Sequence, residues 1–207
     1  LIEPILCYGS EVWGMNEASK LERIHMQFCK QILGVKCQTQ NSLIYGELGI
    51  YPLKIRRLIR VIKYWFKIIS CSNEKYVKLV YNMMLSDLEN YPEQKSWVNS
   101  IKALLESTGF YHAWLYQGVG NVEVFLSCFK QRIEDNYKQL WNNDLENSSR
   151  ARTYRLYCNF TYQPYLNIIK TEKIRSALSR FRLSAHRLEV EAGRWHKPES
   201  IPYNERK

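Results

Sequence analysis

Apolar residues in this chain recur mostly at intervals of three and four positions, the spacing that places side chains on one face of an α-helix. Turn-forming residues such as Gly34, Gly49 and Pro92 separate these segments. No stretch shows the sustained apolar and polar alternation of a half-buried strand. The pattern predicts an all-α fold, a multi-helix bundle array with short loops, followed after Gly193 by an extended C-terminal tail.

Residues that favour helix ends mark where the predicted helices start and stop. Predicted N-terminal caps are Asn16, Asn73, Ser96, Asn121 and Thr171, and Pro52 stands at a first helical position. Predicted C-terminal stops are Gly34, Gly49 and Gly109. The longest predicted helix follows Asn121 and runs out in the polar stretch 142–149, the best candidate for a domain boundary.

Apolar spacing also predicts which face of each helix is buried. For the helix after Asn16 the predicted inner face is Leu21, Ile24, Phe28 and Ile32. For the helix after Thr171 it is Ile174, Leu178, Phe181, Ala185 and Leu188.

The segment 52–69, PLKIRRLIRVIKYWFKII, holds six basic residues and no acidic one. Its predicted inner face is Ile55, Leu58, Ile59, Ile62, Phe66 and Ile69. A separate basic stripe is formed by Arg56, Arg60, Lys63 and Lys67. A helix with one apolar and one wholly positive face suggests a nucleic acid or an anionic membrane surface as partner. The alternative is a core helix with a solvated basic face.

The net charge of +10 is concentrated near the C-terminus, since residues 150–207 carry 13 basic and 5 acidic side chains. Such a concentration is typical of a nucleic-acid-binding surface, although basic tails also serve solubility. The candidate contacts there are Arg150, Arg152, Arg155, Arg175, Arg180, Arg182, Arg187 and Arg194. Aromatic residues lie among the first three arginines, at Tyr154, Tyr157, Phe160, Tyr162 and Tyr165. They could stack on bases, or they could cover a core.

Little in the sequence suggests a catalyst, a metal or a cofactor. The six cysteines contain no Cys-x-x-Cys pair, and His186 with Glu189 would supply only two ligands, so no metal site is predicted. No apolar run reaches the ~18 residues of a membrane span. The chain starts without a methionine or a signal peptide, and we expect a fragment of an intracellular polypeptide, nuclear or cytoplasmic.

Four segments carry a family resemblance through their order and spacing. Residues 8–14 read YGSEVWG, residues 32–35 ILGV, residues 45–53 YGELGIYPL and residues 183–194 LSAHRLEVEAGR. Together they resemble the polyprotein of LINE-type (non-LTR) retrotransposon reverse transcriptases, in the region that follows the polymerase palm. The resemblance implies a thumb-like helical segment over residues 1–70, a helical linker domain over 71–149 and a basic C-terminal helical region with its tail over 150–207.

The differences from the family limit this inference. Polymerase chemistry requires carboxylates that hold two Mg²⁺ ions, and the three aspartates here, Asp87, Asp135 and Asp144, are not adjacent. The chain also stops at Lys207 without the Cys/His module that follows this region in relatives, so no zinc site is carried over. We therefore expect no enzymatic activity, no catalytic residue and no cofactor.

The predicted function is that of a non-catalytic fragment that binds RNA or DNA in a sequence-tolerant way, with the remainder of the parent polyprotein as a further partner and no membrane partner. One alternative is a structural scaffold or a decayed retroelement remnant without independent activity. A less favoured alternative is a membrane-surface module that inserts Trp65 and Phe66.

Overall fold

The computed structural model describes residues 2–186. In this range the chain forms α-helices and two short 3₁₀ turns, Ser149–Ala151 and Tyr154–Leu156, with no strand and one isolated antiparallel bridge between Leu48 and Tyr162. The helices are Ile2–Leu6 (α1), Ser10–Trp13 (α2), Ser19–Leu33 (α3), Asn41–Leu48 (α4), Leu53–Ile69 (α5), Tyr76–Asn90 (α6), Trp97–Ser107 (α7), Tyr111–Leu115 (α8), Val122–Asn147 (α9), Tyr165–Ile168 (α10) and Glu172–Arg182 (α11). The all-α fold is confirmed. The predicted C-terminal tail lies outside the described residues.

Several predicted helix ends are confirmed in atomic detail. The Ser96 hydroxyl accepts a hydrogen bond from the backbone N–H of Asn99, 3.0 Å away, and the Asn121 side chain accepts one from Val124, also at 3.0 Å. The three predicted stop glycines all have left-handed φ values, 65° at Gly34, 59° at Gly49 and 82° at Gly109.

Two other predicted helix starts are wrong, because α3 and α6 begin three residues after Asn16 and Asn73. Helix α11 begins directly after Thr171 as predicted, although the Thr171 side chain makes no capping hydrogen bond. The longest helix, α9, follows Asn121 and ends at Asn147, inside the predicted polar stretch 142–149. Trp141 and Leu145 explain its length, because both are buried one turn apart and anchor its last turns.

The predicted inner face of α3 is wrong. Ile24, Phe28 and Ile32 are 43%, 39% and 50% exposed, and the buried side chains are instead His25, Met26, Cys29, Lys30 and Leu33. The buried set lies one position further along the helix, a rotation of ~100°.

The prediction for α11 is only partly right, since Ala185 is buried, Leu178 is half-buried and Leu188 lies outside the described residues. Ile174 is 58% and Phe181 is 50% exposed, whereas Ser179 is fully buried. The Ser179 hydroxyl is hydrogen-bonded to the carbonyl of Arg175 and to the hydroxyl of Tyr165. A polar residue can occupy the inner face here because its hydrogen bonds are satisfied.

The described residues group into two compact units, each built from two separate stretches of chain. Unit 1 combines residues 2–22 and 52–137, and unit 2 combines residues 23–51 and 138–186. Helices α3 and α9 each begin in unit 1 and end in unit 2. These units do not follow the predicted contiguous segments 1–70, 71–149 and 150–207. That division, which concerns the parts of a parent protein, stays a prediction.

The core of unit 1 is aromatic and centres on Trp65, which is fully buried. Its ring stacks on Trp114 at a centroid distance of 6.2 Å, and its Nε1–H donates to the hydroxyl of Tyr81, 2.9 Å away. The Tyr81 hydroxyl in turn donates to Gln117 Oε1 at 2.5 Å. The polar tips of these rings are therefore paired inside the core.

The core of unit 2 is built around Trp141 and Tyr154. The Trp141 Nε1–H donates to the Ser42 carbonyl at 2.7 Å, and the Tyr154 ring is fully buried. Gly46 on α4 permits this packing, because a Cβ at that position would lie 2.5 Å from Trp141 Cζ2 and 2.8 Å from the Tyr154 hydroxyl oxygen.

Candidate nucleic-acid interface

Helix α5 has separate buried and basic sides. Val61, Ile62, Trp65 and Phe66 are at most 2% exposed and hold one side in the core of unit 1. Outside lie the predicted stripe residues, of which Arg56, Lys63 and Lys67 are exposed and Arg60 is half-buried. Three of the four stripe residues are thus at the surface. The membrane alternative required Trp65 and Phe66 to be exposed, which they are not.

The stripe residues differ in their partners. Arg56 pairs with Glu3, and Arg60 Nη1 donates to the Cys7 carbonyl at 2.7 Å. Within residues 2–186 the ammonium groups of Lys63 and Lys67 have neither a hydrogen bond nor an ion pair. These two lysines are the members of the stripe whose donors are available to an anion.

A cleft of about 730 Å³ in unit 1 lies against the stripe. Arg60, Lys63 and Lys67 line it, and so do the carboxylates Glu11 and Glu123. The two negative charges offset two of the three positive ones. The cleft is therefore a weaker site for a phosphate than its three cations alone would make it.

Arg57, adjacent to the stripe, has a structural role that sequence reasoning missed. It is only 2% exposed; its Nη1 donates to the Asn16 carbonyl at 3.1 Å, and its guanidinium lies 5.4 Å from the Trp13 ring centroid. The Glu22 carboxylate, 3.5 Å from Arg57 Nη2, accepts the backbone N–H groups of Leu53 at 3.0 Å and Lys54 at 2.7 Å. Glu22 thus caps α5, where Pro52 has no side chain that could do so. The only hint in the sequence was Pro52, because the side chain of a proline before the helix cannot accept hydrogen bonds from the first N–H groups of α5. A residue elsewhere in the chain therefore had to accept them.

Positive charge is concentrated in unit 2. Its described residues include 12 basic and 4 acidic side chains, a net charge of +8, whereas those of unit 1 include 13 basic and 12 acidic. One of the four acidic residues, Glu47, is fully buried and paired. The surface of unit 2 is therefore strongly positive.

Three of the predicted contact residues lie together in the 3₁₀ turns of unit 2. Arg150, Arg152 and Arg155 are all exposed within six positions of one another. Arg155 Nη1 donates to the Glu146 carbonyl at the end of α9, 2.8 Å away, which holds its side chain in place. These three predicted residues are therefore exposed within one short segment of unit 2.

The predicted contacts on α11 are divided between surface and interior. Arg180 is exposed, and Arg175 is half-buried with its Nη1 donating to the Ile169 carbonyl at 3.1 Å. Arg182 is held in the interior, where its Nε and Nη2 lie 2.5 and 3.2 Å from the two Glu47 carboxylate oxygens. Its Nη2 also donates to Gln163 Oε1 at 3.0 Å. These bonds occupy the Arg182 guanidinium, so we leave it out of the proposed phosphate contacts.

The aromatic residues among the arginines cover a core. Phe160 packs between Tyr51 and Trp141, with centroid distances of 4.9 and 5.1 Å. The Arg182 guanidinium lies 4.6 Å from the Tyr157 ring and 5.4 Å from the Tyr165 ring. Burial raises the pKa of the Tyr154 and Tyr165 hydroxyls. Of the five aromatics only Tyr162, 49% exposed, lies largely at the surface, so this segment follows the core alternative.

Arg187 and Arg194 lie outside the described residues. Between residues 2 and 186 no three His, Cys, Asp or Glu side chains come close enough together to hold a metal ion. None of the helices in that range combines the length and the apolar character needed to cross a membrane.

Comparison of the chain with protein-family models, with curated proteins and with solved structures finds no match.

Proposed function

We propose that this protein binds nucleic acid without catalysing a reaction, through the positive surface of unit 2. The observation that supports this is the net charge of +8 on the described residues of unit 2, with Arg150, Arg152 and Arg155 exposed side by side. Lys63 and Lys67 of the α5 stripe form a second, smaller contact surface. Arginine and lysine at such surfaces bind phosphate oxygens and read no bases, so the binding is sequence-tolerant.

We further propose that the protein derives from a LINE-type reverse transcriptase polyprotein and acts beside the remainder of that polyprotein. This proposal rests on the four resembling segments, residues 8–14, 32–35, 45–53 and 183–194. In that setting its task is to hold template RNA or target DNA while another part of the parent protein performs the polymerisation.

The test is a salt series of nucleic-acid affinity measured by fluorescence anisotropy. Binding through six to ten phosphates should weaken by roughly 10³ to 10⁵ between about 50 and 200 mM salt. The triple variant R150Q/R152Q/R155Q should bind more weakly to every sequence, and the slope of log affinity against log salt should fall by about one for each phosphate that the variant no longer binds. Affinity that does not change with salt would contradict the proposal.

Matched pairs of charge changes separate a specific surface from net charge. K63Q/K67Q removes two cations of the stripe, and K130Q/R132Q removes two exposed cations of α9, of which Lys130 is paired with Glu134. We expect a loss of affinity from the first pair and little change from the second. Equal losses of affinity from the two pairs would show that overall charge, and not a specific surface, controls binding. Absence of binding even at about 50 mM salt would favour the scaffold or remnant alternative.

A further inference from the structure

A cleft of about 460 Å³ opens in unit 2, a volume within the range of ligand sites. Among the described residues it is lined by Gly34, Val35, Lys36, Ala177, Arg180 and His186. The described part of that lining includes no carboxylate, unlike the cleft beside the α5 stripe. The cleft combines two permanent cations with a histidine and small apolar side chains.

The end of helix α3 fixes the geometry of this cleft. Gly34 has a left-handed φ of 65°, which lets the Val35 N–H turn back to the Lys30 carbonyl at 3.1 Å. The freed Gly34 carbonyl accepts a hydrogen bond from Arg180 Nε at 2.6 Å. Because Nε is used in this way, the Arg180 guanidinium is held at the cleft. Lys36 follows the turn and is exposed, with no hydrogen bond or ion pair of its ammonium group among the described residues.

An exposed aromatic ring adjoins these cations. Phe181 is 50% exposed, and its ring stacks on the cleft residue His186 with a centroid distance of 5.5 Å and an interplanar angle of 28°. The ring faces outward because Ser179 and Leu183 occupy the inner side of α11. A half-exposed phenylalanine gains little from the core, but its open face can stack on another flat ring.

We propose that this cleft binds single-stranded nucleic acid, with an unpaired base stacked on Phe181 and the neighbouring phosphates held by Arg180 and Lys36. The inference rests on the proposed function and adds strand selectivity to it. In a duplex both faces of every internal base are already stacked, so only a single strand or an end can offer a base to Phe181. The phosphate contacts, in contrast, are available from either form.

A thermodynamic cycle between ring and base tests this directly. Three labelled probes of about 12 nucleotides are used: a single strand, the same strand with abasic sites in its central half, and the matched duplex. Phe181→Leu should weaken binding of the intact single strand about fivefold or more, the effect of losing one base–aromatic stack. It should leave the abasic strand and the duplex within about twofold of the unchanged protein, since those probes offer no base to the ring.

Two further variants control for side effects. Phe181→Tyr keeps the ring and should bind all three probes like the unchanged protein. Phe28→Leu removes a ring of similar exposure, 39%, from α3 in the same unit and should change none of the affinities. Circular dichroism confirms that each variant is folded.

If Phe181→Leu weakened binding of the intact and abasic strands equally, or weakened neither, the stacking proposal would be overturned. The proposal of phosphate binding would remain. Equal losses from Phe28→Leu would overturn it as well. Failure of the unchanged protein to bind any of the three probes at about 50 mM salt is a different result, because it overturns the proposed function together with this inference.

Discussion

Glu47 and Arg182 form a buried ion pair between residues 135 positions apart in the sequence, with Arg182 Nε 2.5 Å and Nη2 3.2 Å from the two carboxylate oxygens. Glu47 is fully buried and the Arg182 side chain is 17% exposed. The pair joins helix α4 to helix α11 within unit 2. Because both charges are withdrawn from water, each depends on the other for its stability.

Breaking this pair from one side should destabilise unit 2. Glu47→Gln keeps the shape of the side chain but leaves the Arg182 guanidinium without its counterion, and we expect the free energy of unfolding to fall by about 3 kcal/mol. The measurement is urea denaturation followed by circular dichroism. Glu134→Gln, which breaks the exposed 3.8 Å pair with Lys130, should cost less than about 1 kcal/mol. Similar effects of the two substitutions would show that burial of the Glu47 pair does not matter.

Gly46→Ala should destabilise the protein although alanine is the better helix former. The intrinsic preference favours alanine by ~1 kcal/mol, but its Cβ would lie 2.5 Å from Trp141 Cζ2 and 2.8 Å from the Tyr154 hydroxyl oxygen. Both rings are buried and cannot move aside, so we expect overpacking to cost ~2 to 3 kcal/mol. This cost exceeds the gain in helix preference. Gly120→Ala is the control, since a Cβ there meets nothing within 4 Å. A thermal melt of both variants decides, and an unchanged melting temperature of Gly46→Ala would refute the packing argument.

Alkaline pH should unfold the protein partly through Cys29. Burial raises the pKa of this thiol from 9.0 to about 11, so the native state keeps a proton that the unfolded state loses above pH 9. Stability must therefore fall as pH rises through the window from 9 to about 11, by up to ~2 kcal/mol. Urea midpoints measured at successive pH values should show this fall.

Cys29→Ala should flatten that pH dependence without abolishing it, because burial also raises the pKa of Tyr81, Tyr154 and Tyr165. Cys128→Ala, at an exposed position, should leave the pH dependence as it is. A Cys29→Ala protein that keeps the full alkaline loss of stability would show that other groups with raised pKa values, and not Cys29, cause the effect.

Local signals in the sequence predicted the helices and many of their ends. Ser96, Asn121 and the glycines at 34, 49 and 109 act within a few residues of themselves, so their roles can be read from the chain. The outward position of Arg56, Lys63 and Lys67 on α5 was equally predictable, because the basic residues recur at helical spacing on a separate face. The predicted inner face of α5 was only partly right, since Leu58, Ile59 and Ile69 are half-buried.

The inner faces of α3 and α11 could not be predicted from spacing alone. On α11 the inward positions belong to the buried Ser179 and the half-buried Arg182, whose partners Tyr165 and Glu47 lie 14 and 135 positions away. Such distant pairing lets polar side chains take the inner face and leaves Phe181 outside. The structural roles of Arg57 and Arg182 were missed for the same reason. Arg182 was predicted to contact nucleic acid and Arg57 was only one basic residue of α5, because their carboxylate partners are remote in sequence.

The two-stretch construction of each unit has a consequence for anyone who dissects this protein. A single truncation or proteolytic cut removes part of one stretch and leaves its counterpart without the surface it packs on, so neither unit can be released whole from one end of the chain. A deletion series would therefore disturb the packing of at least one unit at almost any internal boundary. Point substitutions at the surface, not shortened chains, are the means to map what each unit does.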